Sequence, residues 1–218
     1  MSLFERLKDN KGTVSSALGK LLAAEVLAGD QKMLEEAVDL TCYDLPNIKS
    51  KSIRAGAAKI VEIVAEKEPE LVSPYLEVLL PSLEAKEPQT RWMIMMVFGF
   101  CAKVNEPSAK KGIPYAKRYI EENEGLCIKS AADLYLGQYG ALSVENTKAV
   151  LPLVQVAMNT CIKNEQDWLI ESLIRMAPHM TGAQIDLVMS FVMKYHDDSR
   201  KATAKRVTKF LKSVDAHI

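Results

Sequence analysis

The chain predicts an all-α fold: a right-handed α-α superhelix of about five stacked helix pairs. Three observations carry this. Apolar residues recur with helical spacing almost throughout, and strand-like alternation never persists. A repeat of about 38 residues runs through the chain: Trp92 and Trp168 lie two steps apart, and Gly99–Gly137, Pro69–Pro107 and Pro114–Pro152 one step each. At the same step Ile60, Phe98, Leu136 and Ile174 form an apolar ladder. One helix pair cannot hide such a stripe, whereas stacked pairs bury it continuously.

The elements follow in order, broken at Pro, Gly, Asn and Asp. A short turn near Leu3 to Lys8 precedes a helix over Thr13–Ala28, which Gly29-Asp30 ends. A second helix covers Gln31–Tyr43, and Leu45-Pro46-Asn47 interrupts it because proline disfavours the helical region for its predecessor. The third spans Ile48–Lys67, with Ile53, Ala57, Ile60, Val61 and Val64 as its core stripe. Glu68-Pro69-Glu70 opens a helix over Leu71–Ala85, stepped at Pro74 and Pro81. Pro88 starts Gln89–Val104, and Asn105-Glu106-Pro107 repeats the opening device before Lys110–Glu122. Leu126–Tyr139, a helix from Ser143 through Ile162, Gln166–Met176, Gly182–Tyr195 and Ser199–Val214 complete the set. No composition break or Ser/Gly-rich linker divides the chain, so residues 1–218 read as one domain. Its approximate units are 12–44, 45–85, 86–123, 124–163 and 164–215.

Composition narrows the function. Lys plus Arg number 28 and Asp plus Glu number 28, a balance that disfavours a general nucleic-acid coat or an anionic-membrane binder. The first residues carry no apolar leader core, and the longest apolar stretch, Trp92–Ala102, is short for a membrane helix, so a cytoplasmic protein without membrane attachment is expected. Cys42, Cys101, Cys127 and Cys161 form no CxxC pair and read as reduced, buried small hydrophobes. His179, His196 and His217 lack ligand spacing, so neither a metal nor a cofactor is expected. No nucleophile elbow, phosphate loop or dinucleotide fingerprint occurs.

Val72-Ser73-Pro74-Tyr75-Leu76-Glu77-Val78-Leu79-Leu80-Pro81-Ser82-Leu83 resembles the first helix of a HEAT repeat, and Gln89-Thr90-Arg91 the start of its second. Ile53-Arg54-Ala55-Gly56-Ala57-Ala58 is similar to the second-helix pattern, with Lys129-Ser130-Ala131-Ala132 as a weaker echo. The resemblance, to the HEAT-like (armadillo-type) repeats, covers about residues 30 to 215. Asp167 stands where that pattern expects a basic residue. What the resemblance implies is a scaffold that grips another macromolecule on a curved helical surface.

The expected function is therefore a non-catalytic scaffold for a protein or peptide. Its concave-face candidates are Arg54, Arg91, Trp92, Lys129, Asp133 and Trp168, with the tryptophans as anchors. The methionines of the Met93–Met96 cluster read mainly as gap-filling core, and Tyr115, Tyr119, Tyr135 and Tyr139 as an aromatic patch. The last helix carries a second candidate surface, the basic set Arg200, Lys201, Lys205, Arg206, Lys209 and Lys212, which reads either as a solvated end cap or as a dock for an acidic or phosphate-rich partner. The runner-up is a helical-repeat DNA-binding protein or alkylated-base DNA glycosylase, with Trp92, Trp168, Asp133 and Asp167 cast beside a damaged base. A third reading, a subunit of a larger assembly, expects Leu21, Leu22 and Val26 to be uncovered.

Overall fold

A computed structural model describes residues 2–8 and 17–216. Thr13–Ser16 of the predicted first helix, and His217, lie outside the described residues. Among the described residues there are helices and turns and no strand. The chain divides into two compact units, Met1–Gly112 and Ile113–Ile218.

The first unit begins with α1 (Leu3–Lys8) and α2 (Ala17–Leu27). Gly29, at φ 112°, takes the left-handed turn that ends α2, and Asp30 caps α3 (Gln31–Thr41) by accepting the Met33 N–H at 3.0 Å. The predicted third helix is a 3₁₀ turn, Ile48–Ser50, running into α4 (Lys51–Lys67). The predicted stepped helix breaks further than expected. It runs as α5 (Pro69–Val72), a 3₁₀ turn over Ser73–Tyr75, α6 (Leu76–Leu79) and a second 3₁₀ turn over Leu80–Glu84. Pro74 and Pro81 each remove a helical N–H and crowd the preceding turn, so the chain tightens at both. Then come α7 (Pro88–Cys101), with its proline in the first turn, and α8 (Glu106–Ala109), capped by Asn105. Within this unit α4 packs against α1, α2, α3 and α7.

The second unit holds α9 (Ile113–Glu122), α10 (Leu126–Gly140), α11 (Val144–Asn159), α12 (Gln166–Met176), α13 (Gly182–Met193) and α14 (Lys201–Asp215). Ser143 caps α11, and Thr181 with Gln184 forms a full capping box on α13. α14 starts at Lys201, slightly later than the predicted Ser199, with Arg200 as its N-cap and no side-chain cap, and Asp198 Oδ1 accepts the Arg200 N–H at 2.7 Å. α10 packs against α9, α11 and α12, and α12 against α14. Tyr119, Tyr135 and Tyr139 are buried there. Tyr135 and Tyr139 lie 6.2 Å apart by centroid, and Arg118 stands over both Tyr115 and Tyr119.

The predicted ladder lies in the core. Ile60, Phe98, Leu136 and Ile174 are all buried, one on each of α4, α7, α10 and α12. Of the cysteines, Cys101 is buried as expected, but Cys127 is exposed and Cys42 and Cys161 are half-buried. Leu22 and Val26 are buried, whereas Leu21 is uncovered.

Candidate functional site

The four charged concave-face candidates do not face solvent. Arg54, expected on a binding face, is wholly buried on α4. Its guanidinium donates to both Glu87 oxygens, at 2.9 and 2.6 Å. It also donates to the carbonyls of Tyr43, Asp44 and Asn47, at 3.0, 2.8 and 3.1 Å. The turn that presents those carbonyls bends at Asp44, φ 46°. Burial alone would raise the Glu87 pKa, but hydrogen bonds from Arg54 and Thr90 overcome it and hold the carboxyl below its ordinary value. Arg91 is buried too.

The second unit repeats the device. Lys129, on α10, is wholly buried, donates to the Thr160 carbonyl at 2.7 Å and lies 3.1 Å from Glu165. Asp167, one 38-residue step further, has the opposite sign and still finds its counter-ion: Arg200 donates to it at 2.6 Å and Thr203 at 2.7 Å. In each case the partner lies nearly one repeat later in sequence. Arg54–Glu87 and Asp167–Arg200 are 33 residues apart and Lys129–Glu165 is 36. These charges tie a second helix to the next repeat, and burial removes Arg54, Arg91, Lys129 and Asp133 from the proposed binding face.

Asp133 is the most constrained of them. Its side chain is fully buried, and neither carboxyl oxygen takes a hydrogen bond. Burial first, then the Glu165 charge, pushes its pKa well above the ordinary carboxyl range, against the opposing pull of Lys129. Burial and the Glu165 charge thus favour the neutral form of this carboxyl. Lys129, Glu165 and neutral Asp133 together balance charge inside the core.

Trp168 differs. It is 37% exposed on α12, in one line with Glu171 and the exposed Arg175 at i+3 and i+7. From α14, Arg206 and Lys209 approach Glu171 at 4.0 and 3.7 Å. Trp92, on α7, is half-buried. Sequence reasoning missed Glu171 and Arg175, although their helical spacing from Trp168 was the available signal. Of the basic set, Arg200 is engaged by Asp167, and Lys201, Lys205 and Lys212 are exposed with no carboxylate partner among the described residues.

Burial, with the Glu165 charge second, pushes the Cys161 thiol up to about 11, and burial pushes Cys101 up to about 12. Among the described residues no three His, Cys, Asp or Glu side chains group so as to hold a metal ion. No described helix is long and apolar enough to cross a membrane.

No protein-family model and no curated protein sequence matches the chain. Solved structures do. Two engineered proteins from the Northeast Structural Genomics Consortium each align with TM-score 0.67 at 14% identity. The first covers 99% of this chain and 96% of its own, the second 98% and 97%. A designed armadillo repeat protein aligns with TM-score 0.61 at 10% identity, over 97% of this chain and 98% of its own. The likeness at such low identity is one of fold. The chain has the all-α helical-repeat solenoid fold, of the HEAT and armadillo type.

Proposed function

We propose that this chain is a non-catalytic scaffold that binds a protein or peptide on the face its second helices present, with Trp168 as an anchor. One observation carries the reading. Trp168 remains exposed in one line with Glu171 and Arg175 on α12, while Arg54, Arg91, Lys129 and Asp133 are buried. An aromatic ring ringed by charges of both signs suits a partner with one apolar anchor and polar flanks.

The glycosylase reading asks for a free carboxylate beside an open aromatic surface. Asp133 is fully buried with its pKa raised, and Asp167 is engaged by Arg200 and Thr203, so neither supports it.

The test is capture from host lysate with and without nuclease, comparing the wild type with Trp168→Ala and Trp92→Ala. A specific protein, retained after nuclease and lost in Trp168→Ala, supports the scaffold. Retention of nucleic acid, released by salt, rejects it and calls for a base-excision assay.

A further inference from the structure

A second surface, distinct from the Trp168 face, lies on α14. The 38-residue step maps its buried residues Thr203, Val207, Phe210 and Val214 onto Glu165, the N-cap of α12, and Leu169, Ser172 and Met176 within it, which are buried as well. α14 thus sits in the repeat register, with the same face turned inward. The same step maps Asp167, Ile170, Glu171 and Ile174 onto Lys205, Thr208, Lys209 and Lys212. On α12, Asp167 and Glu171 take partners from the helix that follows, namely Arg200 and Thr203, and Arg206 and Lys209. On α14, Lys205 and Lys212 have no carboxylate partner among the described residues, and Lys209 meets only Glu171 of α12. These positions on α14 line a hollow of about 440 Å³ together with Ala202 and Arg206.

We infer that this face of α14 is the docking site for an acidic helical segment of a partner protein, seated where a following repeat would pack. Charge complementarity selects the occupant. Three second helices in this chain satisfy a buried charge with an opposite charge nearly one repeat later: Arg54 with Glu87, Lys129 with Glu165, Asp167 with Arg200. Lys205 holds the same register position as Lys129 and Asp167, and no described residue gives it a carboxylate. Lys205, Lys209 and Lys212 rise along α14 in steps of about 6 and about 4.5 Å, which matches carboxylates at i, i+4 and i+7 on a neighbouring helix. A nucleic acid fits less well, because Glu171, 3.7 Å from Lys209, sets a negative charge at the edge of the face.

The experiment is a fluorescence-anisotropy titration of the full chain with three labelled probes. These are a helix-forming peptide with Glu at i, i+4 and i+7, the same peptide with Gln in their place, and a single-stranded thymidine oligonucleotide. The acidic peptide is expected to bind, and the Gln peptide at least about tenfold more weakly. Lys205→Glu with Lys209→Glu is expected to weaken the acidic peptide by about as much, tenfold or more. Lys148→Glu with Lys194→Glu, exposed positions on and near other helices, changes it by less than about twofold. Trp168→Ala leaves this binding unchanged, which separates it from the scaffold reading above. The inference is overturned by equal binding of the Gln peptide, by equal loss in both variant pairs, or by tighter binding of the oligonucleotide. It is also overturned if no probe binds, which makes α14 a polar end cap only, or if sedimentation shows the face joining two copies of the chain.

Discussion

Lys129 Nζ lies 3.1 Å from Glu165 Oε2, and neither side chain has any exposure to solvent. Both charges have left water, so their attraction must offset a desolvation cost of several kcal/mol for each ion, about the scale at which such pairs break even. Further hydrogen bonds hold the pair, although Glu165 Oε1 takes no partner. Lys129 donates to the Thr160 carbonyl, and Glu165 accepts the Ile162 N–H at 2.7 Å.

Lys129→Met leaves Glu165 buried beside Asp133 without its cation, and is expected to cost about 3–5 kcal/mol in urea unfolding. Adding Glu165→Gln recovers part of that loss, with a coupling of about 1–3 kcal/mol in the double-mutant cycle. Additive losses would mean the two charges do not act on one another.

Asp133 sets a pH dependence of definite sign. Its folded pKa is raised, so the folded state holds a proton that the unfolded chain releases. Its contribution is complete below the unfolded carboxyl value and is lost as pH rises towards the folded one. Asp133→Asn keeps the shape of the side chain and removes the titration. The variant should therefore gain stability relative to wild type as pH is raised from about 4 towards 8, measured by chemical denaturation at each pH. Glu87 acts in the opposite sense. Its folded pKa is lowered, so its contribution is present above the unfolded value and is lost as pH falls through the folded one. A gap between variant and wild type that does not change with pH would show that Asp133 is ionised in the fold.

Arg54→Lys is not conservative. The guanidinium makes five hydrogen bonds, two to Glu87 and three to turn carbonyls, and an ammonium has only three donors and no planar fork. The expected loss is about 2–4 kcal/mol, read as a fall in urea midpoint with unchanged slope.

Gly137→Ala tests the close approach of α10 and α12. A Cβ at Gly137 would stand 2.5 Å from Ser172 Cβ and 2.6 Å from its Cα. Ser172 cannot easily yield, since its hydroxyl donates to the carbonyls of Asp133 and Trp168. Separating the helices is expected to cost about 1–3 kcal/mol, seen as a lower thermal midpoint. Gly182→Ala, with open space at its Cβ, is the matched control.

The fold was legible because it is periodic. The ladder Ile60, Phe98, Leu136, Ile174 could be read from composition at a fixed step, and all four residues are buried. Helix starts at Pro88 and Ser143 followed from local chemistry, since a cap or a first-turn proline acts over only a few residues. The 3₁₀ breaks around Pro74 and Pro81 went further than the sequence suggested, because how far a proline unwinds a turn depends on what packs against it.

By itself, then, the sequence determined an all-α repeat, its period and its apolar core, all of which depend on neighbours within a turn or at a fixed step. Tertiary structure alone decided where the charges went. Arg54, Lys129 and Asp133 have the chemistry of surface groups, and their burial depends on partners up to 36 residues away that helix stacking brings within hydrogen-bond reach. Trp168 and Phe98 look alike as apolar residues on second helices. Only the packing of the neighbouring helices leaves the first exposed and covers the second, because burial belongs to the contact between elements and not to the side chain.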